Sequence, residues 1–154
     1  MATVIRGSDN FDTSVSSNVV STTSQTYTQV NSGFADIGGA TVTITPSSSS
    51  NKVLVTFSAG GMTNATANEI QVRIMRGSTI VRSITRYGFS NAASSEWSSC
   101  PIAVNFLDSP STTSATTYKL QMSTTQNNDF RVNNSQANYD GTAGIVSTAM
   151  EIGV

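Results

Sequence analysis

Apolar residues in this chain recur at every second position, and no segment of ten or more residues carries a helical period. In a strand, successive side chains point to opposite faces, so alternation marks a sheet with one buried side. Residues 52–59, KVLVTFSA, place Val53, Val55 and Phe57 on one face and leave Leu54 as the only large apolar residue on the other. Residues 40–45 set Val42 and Ile44 against Thr41, Thr43 and Thr45. Residues 69–76 set Ile70, Val72 and Ile74 against Glu69, Gln71, Arg73 and Met75. In residues 145–154, Val146, Thr148, Met150 and Ile152 share one face, and Ile145, Ser147, Ala149 and Glu151 the other. One-sided burial of this kind belongs to antiparallel sheets. The pattern predicts an all-β chain of about eight to ten strands, spaced as in an antiparallel β-sandwich or jelly roll.

Turn chemistry divides the strands. Gly77-Ser78 is a Gly-X link of the kind expected in a type II′ hairpin between residues 69–76 and 79–86. Gly38-Gly39 is expected to break the chain, Pro46 to stop the strand before it, and residues 47–51 to form a polar turn. Residues 97–106 read as a long strand interrupted at Pro101, which implies an edge, a bulge or a bend there. Residues 103–122 read as a hairpin around Asp108-Ser109-Pro110, with Val104 and Phe106 before the turn and Tyr118, Leu120 and Met122 after it. Residues 1–25 show no sustained period and are expected to form an extended N-terminal arm with room for one short strand, with residues 26–154 as the sandwich domain.

Composition excludes several classes of function. Of the 154 residues, 37% are hydrophobic, enough for a core, while 11% are charged against about 25% in an ordinary soluble protein. Ser and Thr make up roughly three residues in ten and suit the solvent faces of strands. A net charge of −1 gives no electrostatic reason to bind nucleic acid. No apolar run approaches the roughly 20 residues of a membrane span, and nothing resembles a signal peptide, so synthesis in the cytoplasm without membrane insertion is expected.

The chain has no histidine, which removes the usual catalytic triads and the commonest metal ligand. Its single cysteine, Cys100, can form no internal disulfide and reads as a buried thiol. Asp108, Asp129, Asp140, Glu69 and Glu96 are scattered rather than paired, and Asp140-Gly141 lacks the ligand spacing of a calcium loop. Neither an enzyme nor a cofactor is expected. Asn64 and Asn133 head glycosylation sequons that matter only in a secretory setting. One charge cluster remains: Arg73, Arg76, Arg82 and Arg86, beside the loop aromatics Tyr87, Trp97 and Tyr139. It reads either as a solvated face or as a ligand or interface patch.

Four strings carry a family resemblance: ITPSSSSNKVLVTFSAGG (residues 44–61), RIMRGSTIV (73–81), NFLDSPSTTSATTYKLQM (105–122) and TAMEIGV (148–154). They resemble the β-rich C-terminal module of tail fibres and other virion structural proteins of tailed bacteriophages, cyanophages among them. The resemblance runs from about residue 27 onward, and the LDSP and TTYK strings are its most specific part. These motifs are structural, so it implies no active-site residues. It implies a virion protein made in the host cytoplasm and a homotrimer of jelly rolls around a shared axis. A short arm without a long shaft points to a capsid decoration (cement) protein or short fibre component, held to other virion proteins through Val4, Ile5, Phe11 and Val15. Alternation offers Val53, Val55, Phe57, Met150 and Ile152 for the trimer seam. The alternative is a receptor- or carbohydrate-binding tip that meets a host surface glycan through the arginine and aromatic patch.

Overall fold

The computed structural model describes residues 15–20, 25–28, 33–63, 67–90, 98–99, 101–124, 129–132 and 145–153. They form twelve strands: β1 (Val15–Val20), β2 (Gln25–Thr28), β3 (Ala35–Ile44), β4 (Lys52–Ala59), β5 (Gly61–Thr63), β6 (Ala67–Arg76), β7 (Thr79–Ser90), β8 (Ser98–Ser99), β9 (Ile102–Asp108), β10 (Thr116–Thr124), β11 (Asp129–Val132) and β12 (Ile145–Ile152). No helix occurs among the described residues. The protein is all-β and antiparallel throughout its described pairs.

Pairing follows one rule. β1 pairs with β12, β2 with β11, β3 with β10, β4 with β9, β5 with β8 and β6 with β7. The chain is therefore a ribbon doubled about its middle, with Gly77-Ser78 at the fold. Rolling the ribbon adds three further ladders, β12 to β4, β10 to β6 and β11 to β5. The result is a sheet ordered β1-β12-β4-β9, a second ordered β3-β10-β6-β7, and a small one of short strands ordered β2-β11-β5-β8.

At the fold, Arg76 lies opposite Thr79, and Gly77 has φ +57°, while Ser78 stays out of the left-handed region. That is the expected type II′ geometry, in which the first turn residue takes positive φ without the cost a side chain would add. The Gly77 N–H donates to the Thr117 carbonyl at 2.9 Å and ties the hairpin tip to the start of β10.

Alternation resolves into the core as expected. Val42 and Ile44 of β3, Ile70, Val72 and Ile74 of β6, and Tyr118, Leu120 and Met122 of β10 face Val53, Val55 and Phe57 of β4 with Ile102 and Val104 of β9. Each fully buried side chain of this size contributes about 1.5–3 kcal/mol relative to exposure.

Several local expectations change. Residues 103–122 are not a hairpin: β9 pairs with β4, β10 pairs with β3 and β6, and the connection arches from one sheet to the other. Ser111, with φ 53°, turns the arch. Alternation cannot separate the two cases, because an arch buries the same faces as a hairpin. Gly38-Gly39 does not end a strand. It lies inside β3, where the register against β10 slips between Lys119 and Gln121, and Gly39 takes φ 80° in the bulge. Pro101 separates strands rather than bending one, leaving β8 in the small sheet and β9 in the large. Residues 61–63 pair as the short strand β5. The short strand expected within residues 1–25 is Val15–Val20, which forms an edge strand on β12, and Gln25 begins β2.

Val53, Val55 and Phe57 cannot serve a subunit seam. They are 0%, 0% and 2% exposed within the single chain, because β4 turns them onto the facing sheet.

Candidate functional site

Polar chemistry in the described residues gathers at three places. The first joins the two large sheets at the end of the sandwich where the hairpin tip lies. Asp108, the last residue of β9, points inward and accepts from the Arg76 guanidinium at 2.7 Å and the Tyr118 hydroxyl at 2.8 Å. The Arg76 Nη1 also reaches the Ser109 carbonyl at 3.3 Å. Arg76 and Tyr118 share a register row across β6 and β10, so both reach Asp108 from the opposite sheet. Burial first, and then the hydrogen bond to Asp108, hold the Tyr118 phenol well above its ordinary pKa. This cluster has no free nucleophile or base. It is a clamp, and it uses the Asp and Tyr of the LDSP and TTYK strings.

The second place is Glu151, 0% exposed on the inward face of β12, where it shares a row with Val53 and Asp108. Its Oε1 accepts from the Ser47 backbone N–H at 2.7 Å, the Ser47 hydroxyl at 2.9 Å and the Asn51 side-chain amide at 2.7 Å. The carboxylate thereby pins the turn between β3 and β4. A buried carboxylate is tolerated only where donors replace its water.

The third lies on the outward face of β3-β10-β6. Lys119 donates to Asp36 at 2.9 Å, Gln121 also donates to Asp36, and Arg73 donates to Gln121 at 2.8 Å. The Arg73 guanidinium stands 3.9 Å from the Phe34 ring centroid. The hydrogen bonds from Lys119 and then Gln121 draw the Asp36 pKa below its ordinary value.

The expected arginine patch is thus divided. Arg76 is committed to Asp108 and Arg73 to Gln121 and Phe34, so neither fits the ligand patch proposed from sequence. Arg82 is exposed on β7. Arg86 and Tyr87 lie on β7 with side chains outside the described residues, as does the side chain of Val15 on β1. Val4, Ile5, Phe11, Trp97, Cys100 and Tyr139 lie outside the described residues altogether. No group of three or more potential metal ligands occurs among the described residues.

The outward face of β12-β4-β9 differs from all of these. Register places Met150, Leu54 and Leu107 in one row, with Thr148, Thr56 and Asn105 in the next, then Val146, Ser58 and Ala103. Ile152 and Lys52 close the face at one end. Leu107 is 46% and Val146 40% exposed, and Leu54, Met150 and Ile152 are half-buried. Lys52 is the only charged residue among these eleven positions. β12 is mixed on both faces: Val146, Met150 and Ile152 face outward with Thr148, while Ser147 and Glu151 face the core beside Ile145 and Ala149. Met150 and Ile152 were legible as surface candidates in the sequence, whereas Leu107 and Val146 were not singled out. Their signal was the same alternation, read against the polar residues of the opposite face.

No family model matches the chain, and no curated protein matches it in sequence. Among solved structures, the chain is similar to two infectious bursal disease virus structures. One is of the Gx strain (13% identity, TM-score 0.45, over 91% of this chain and 37% of that one), and the other is the T13 viral particle (11% identity, TM-score 0.40, over 97% and 39%). The enzymatically active domain of bacteriophage CBA120 tailspike protein 4 is a more distant likeness, at 13% identity and TM-score 0.26 over 91% of this chain and 19% of that one. The chain spans less than two-fifths of the infectious bursal disease virus chains it matches.

Proposed function

We propose that this chain is a structural protein of a virion, a capsid decoration protein or short fibre component. It works as a homotrimer of jelly rolls and is attached to the particle through its N-terminal residues. The observation that carries the reading is strand β12, which turns Ser147 and Glu151 inward and Val146, Met150 and Ile152 outward. A chain that buries Glu151 while exposing Val146 and Leu107 on the same sheet offers a surface suited to cover by another protein. The described carboxylates Asp36, Asp108 and Glu151 are all engaged by donors, which favours packing over catalysis.

Strand order supports the jelly-roll part. Numbering only the eight longer strands, β1, β3, β4, β6, β7, β9, β10 and β12, gives orders 1-8-3-6 and 2-7-4-5 for the two large sheets, the order of a ribbon wound into a jelly roll. The resemblance of residues 44–61 and 105–122 to phage virion modules supports the setting.

Attachment is tested by removing residues 1–14 and keeping β1, since loss of Val15–Val20 would strip a strand from the sheet. Mixed with particles of the parent phage that lack the protein, the full chain co-sediments and the truncated chain stays in the supernatant. Equal co-sedimentation of both overturns attachment through the N-terminal residues. Failure of the full chain to bind overturns the virion reading. The alternative, a glycan-binding tip, would rest on Arg82 and the loop aromatics, with Arg73 and Arg76 already committed.

A further inference from the structure

We infer that the outer edge of β9 takes an added strand from another virion protein, an extended segment that alternates apolar residues and carries a carboxylate. The inference rests on the proposed structural role and names the kind of partner that role requires. A strand at the edge of a sheet keeps a row of backbone N–H and C=O groups that another extended backbone matches in register. The two large sheets end in four such edges, β1 and β9 on one, β3 and β7 on the other. β1 and β3 lie against each other and close one side of the sandwich. β9 and β7 border the opposite side.

Of these two, only β9 lacks the devices that discourage pairing. β7 slips register twice against β6 and sets Arg82 opposite the core residue Ile74. Bulges and core-side charges both blunt an edge. β9 instead keeps an unbroken register with β4 from Ile102 to Asp108. Its sequence, IAVNFLD, has no proline, lysine or glycine, and its one charge, Asp108, is committed to Arg76 and Tyr118. No described strand pairs with its outer edge.

Side chains along this opening set the chemistry of the occupant. Phe106 of β9 and Val81 and Ile84 of β7 pack on the core yet stay half-buried. A strand added to β9 covers them if every second residue is apolar. Arg82 is exposed and has no hydrogen-bond or ion-pair partner among the described residues. Facing sheets stand about 10 Å apart, a gap that an arginine and a carboxylate side chain span together.

Hydrogen–deuterium exchange of the full chain, alone and bound to particles of the parent phage that lack the protein, tests the proposal. The expected result is exchange slowed at least about tenfold on binding at residues 104–108. Arg82→Glu weakens co-sedimentation with those particles at least about tenfold, and Arg82→Lys keeps it. Circular dichroism confirms that each variant folds, and the exposure of Arg82 keeps either change out of the core. A bound chain whose residues 104–108 exchange as fast as in the free chain overturns the inference and leaves the virion reading intact. Arg82→Glu that binds like wild type overturns the acidic partner. Protection that appears without particles as concentration rises overturns the virion partner in favour of a second copy. A full chain that binds no particle overturns the inference together with the virion reading.

Discussion

Asp108 and Asp36 make nearly the same contact. Each carboxylate receives a cation at hydrogen-bond distance, 2.7 Å from Arg76 and 2.9 Å from Lys119, and each accepts a second side-chain donor. Only their surroundings differ. The Asp108 side chain is 8% exposed between two sheets, and that of Asp36 is 52% exposed on the surface of one. Water competes for Asp36 and screens its partner, so its pair is worth little. Asp108 has given up its water, and its three-way contact with Tyr118 and Arg76 determines how the sheets meet at that end. Identical geometry thus serves packing in one place and solubility in the other.

Breaking the buried pair has the largest expected effect. Asp108→Ala leaves the Tyr118 hydroxyl, in a residue 0% exposed, without its acceptor and should cost about 3 kcal/mol in urea unfolding. A loss under about 1 kcal/mol would erase the contrast between the two carboxylates. Ser147 sharpens it from the other side: its hydroxyl is buried and has no hydrogen-bond partner among the described residues. Ser147→Ala should therefore stabilise by about 1 kcal/mol, raising the thermal midpoint by about 3 °C.

The smallest effect belongs to Asp36→Asn, which should cost less than about 0.5 kcal/mol at neutral pH. The folded-state pKa of Asp36 lies below the ordinary carboxyl value of 3.8. Its contribution is thus fully present above that value and is lost as pH falls through the lowered folded-state pKa. Wild type and Asp36→Asn should accordingly converge in stability only in strongly acidic solution. A gap that stays constant down to the lowest pH would break the argument.

Faces were legible in the sequence and partners were not. Val53, Val55, Phe57, Tyr118, Leu120 and Met122 were all assigned to apolar faces by alternation, and all are buried. The Gly77-Ser78 turn was legible because only glycine takes positive φ freely. The sheet that β10 joins was not, since pairing between distant strands leaves no mark on local period. Asp108 looked like a turn residue because Asp favours turns for backbone reasons, which hid its role as an acceptor. Alternation sets Glu151 on the side of β12 opposite Met150 and Ile152, but it does not mark that side as the buried one. The loop at residues 45–51 makes it so by supplying donors to Glu151.

The doubled ribbon also bears on how the molecule carries load. β1 and β12 lie antiparallel, with Val15 opposite Met150, so the two ends of the described chain leave the sheet side by side. Tension applied between those ends opens the β1–β12 ladder one pair at a time, as a zipper opens, and meets little resistance. Tension between the first strand and a neighbour seated on the β4 and β9 face instead loads many hydrogen bonds together. A chain held at one terminus and gripped across its sheet would be pulled along its strong direction.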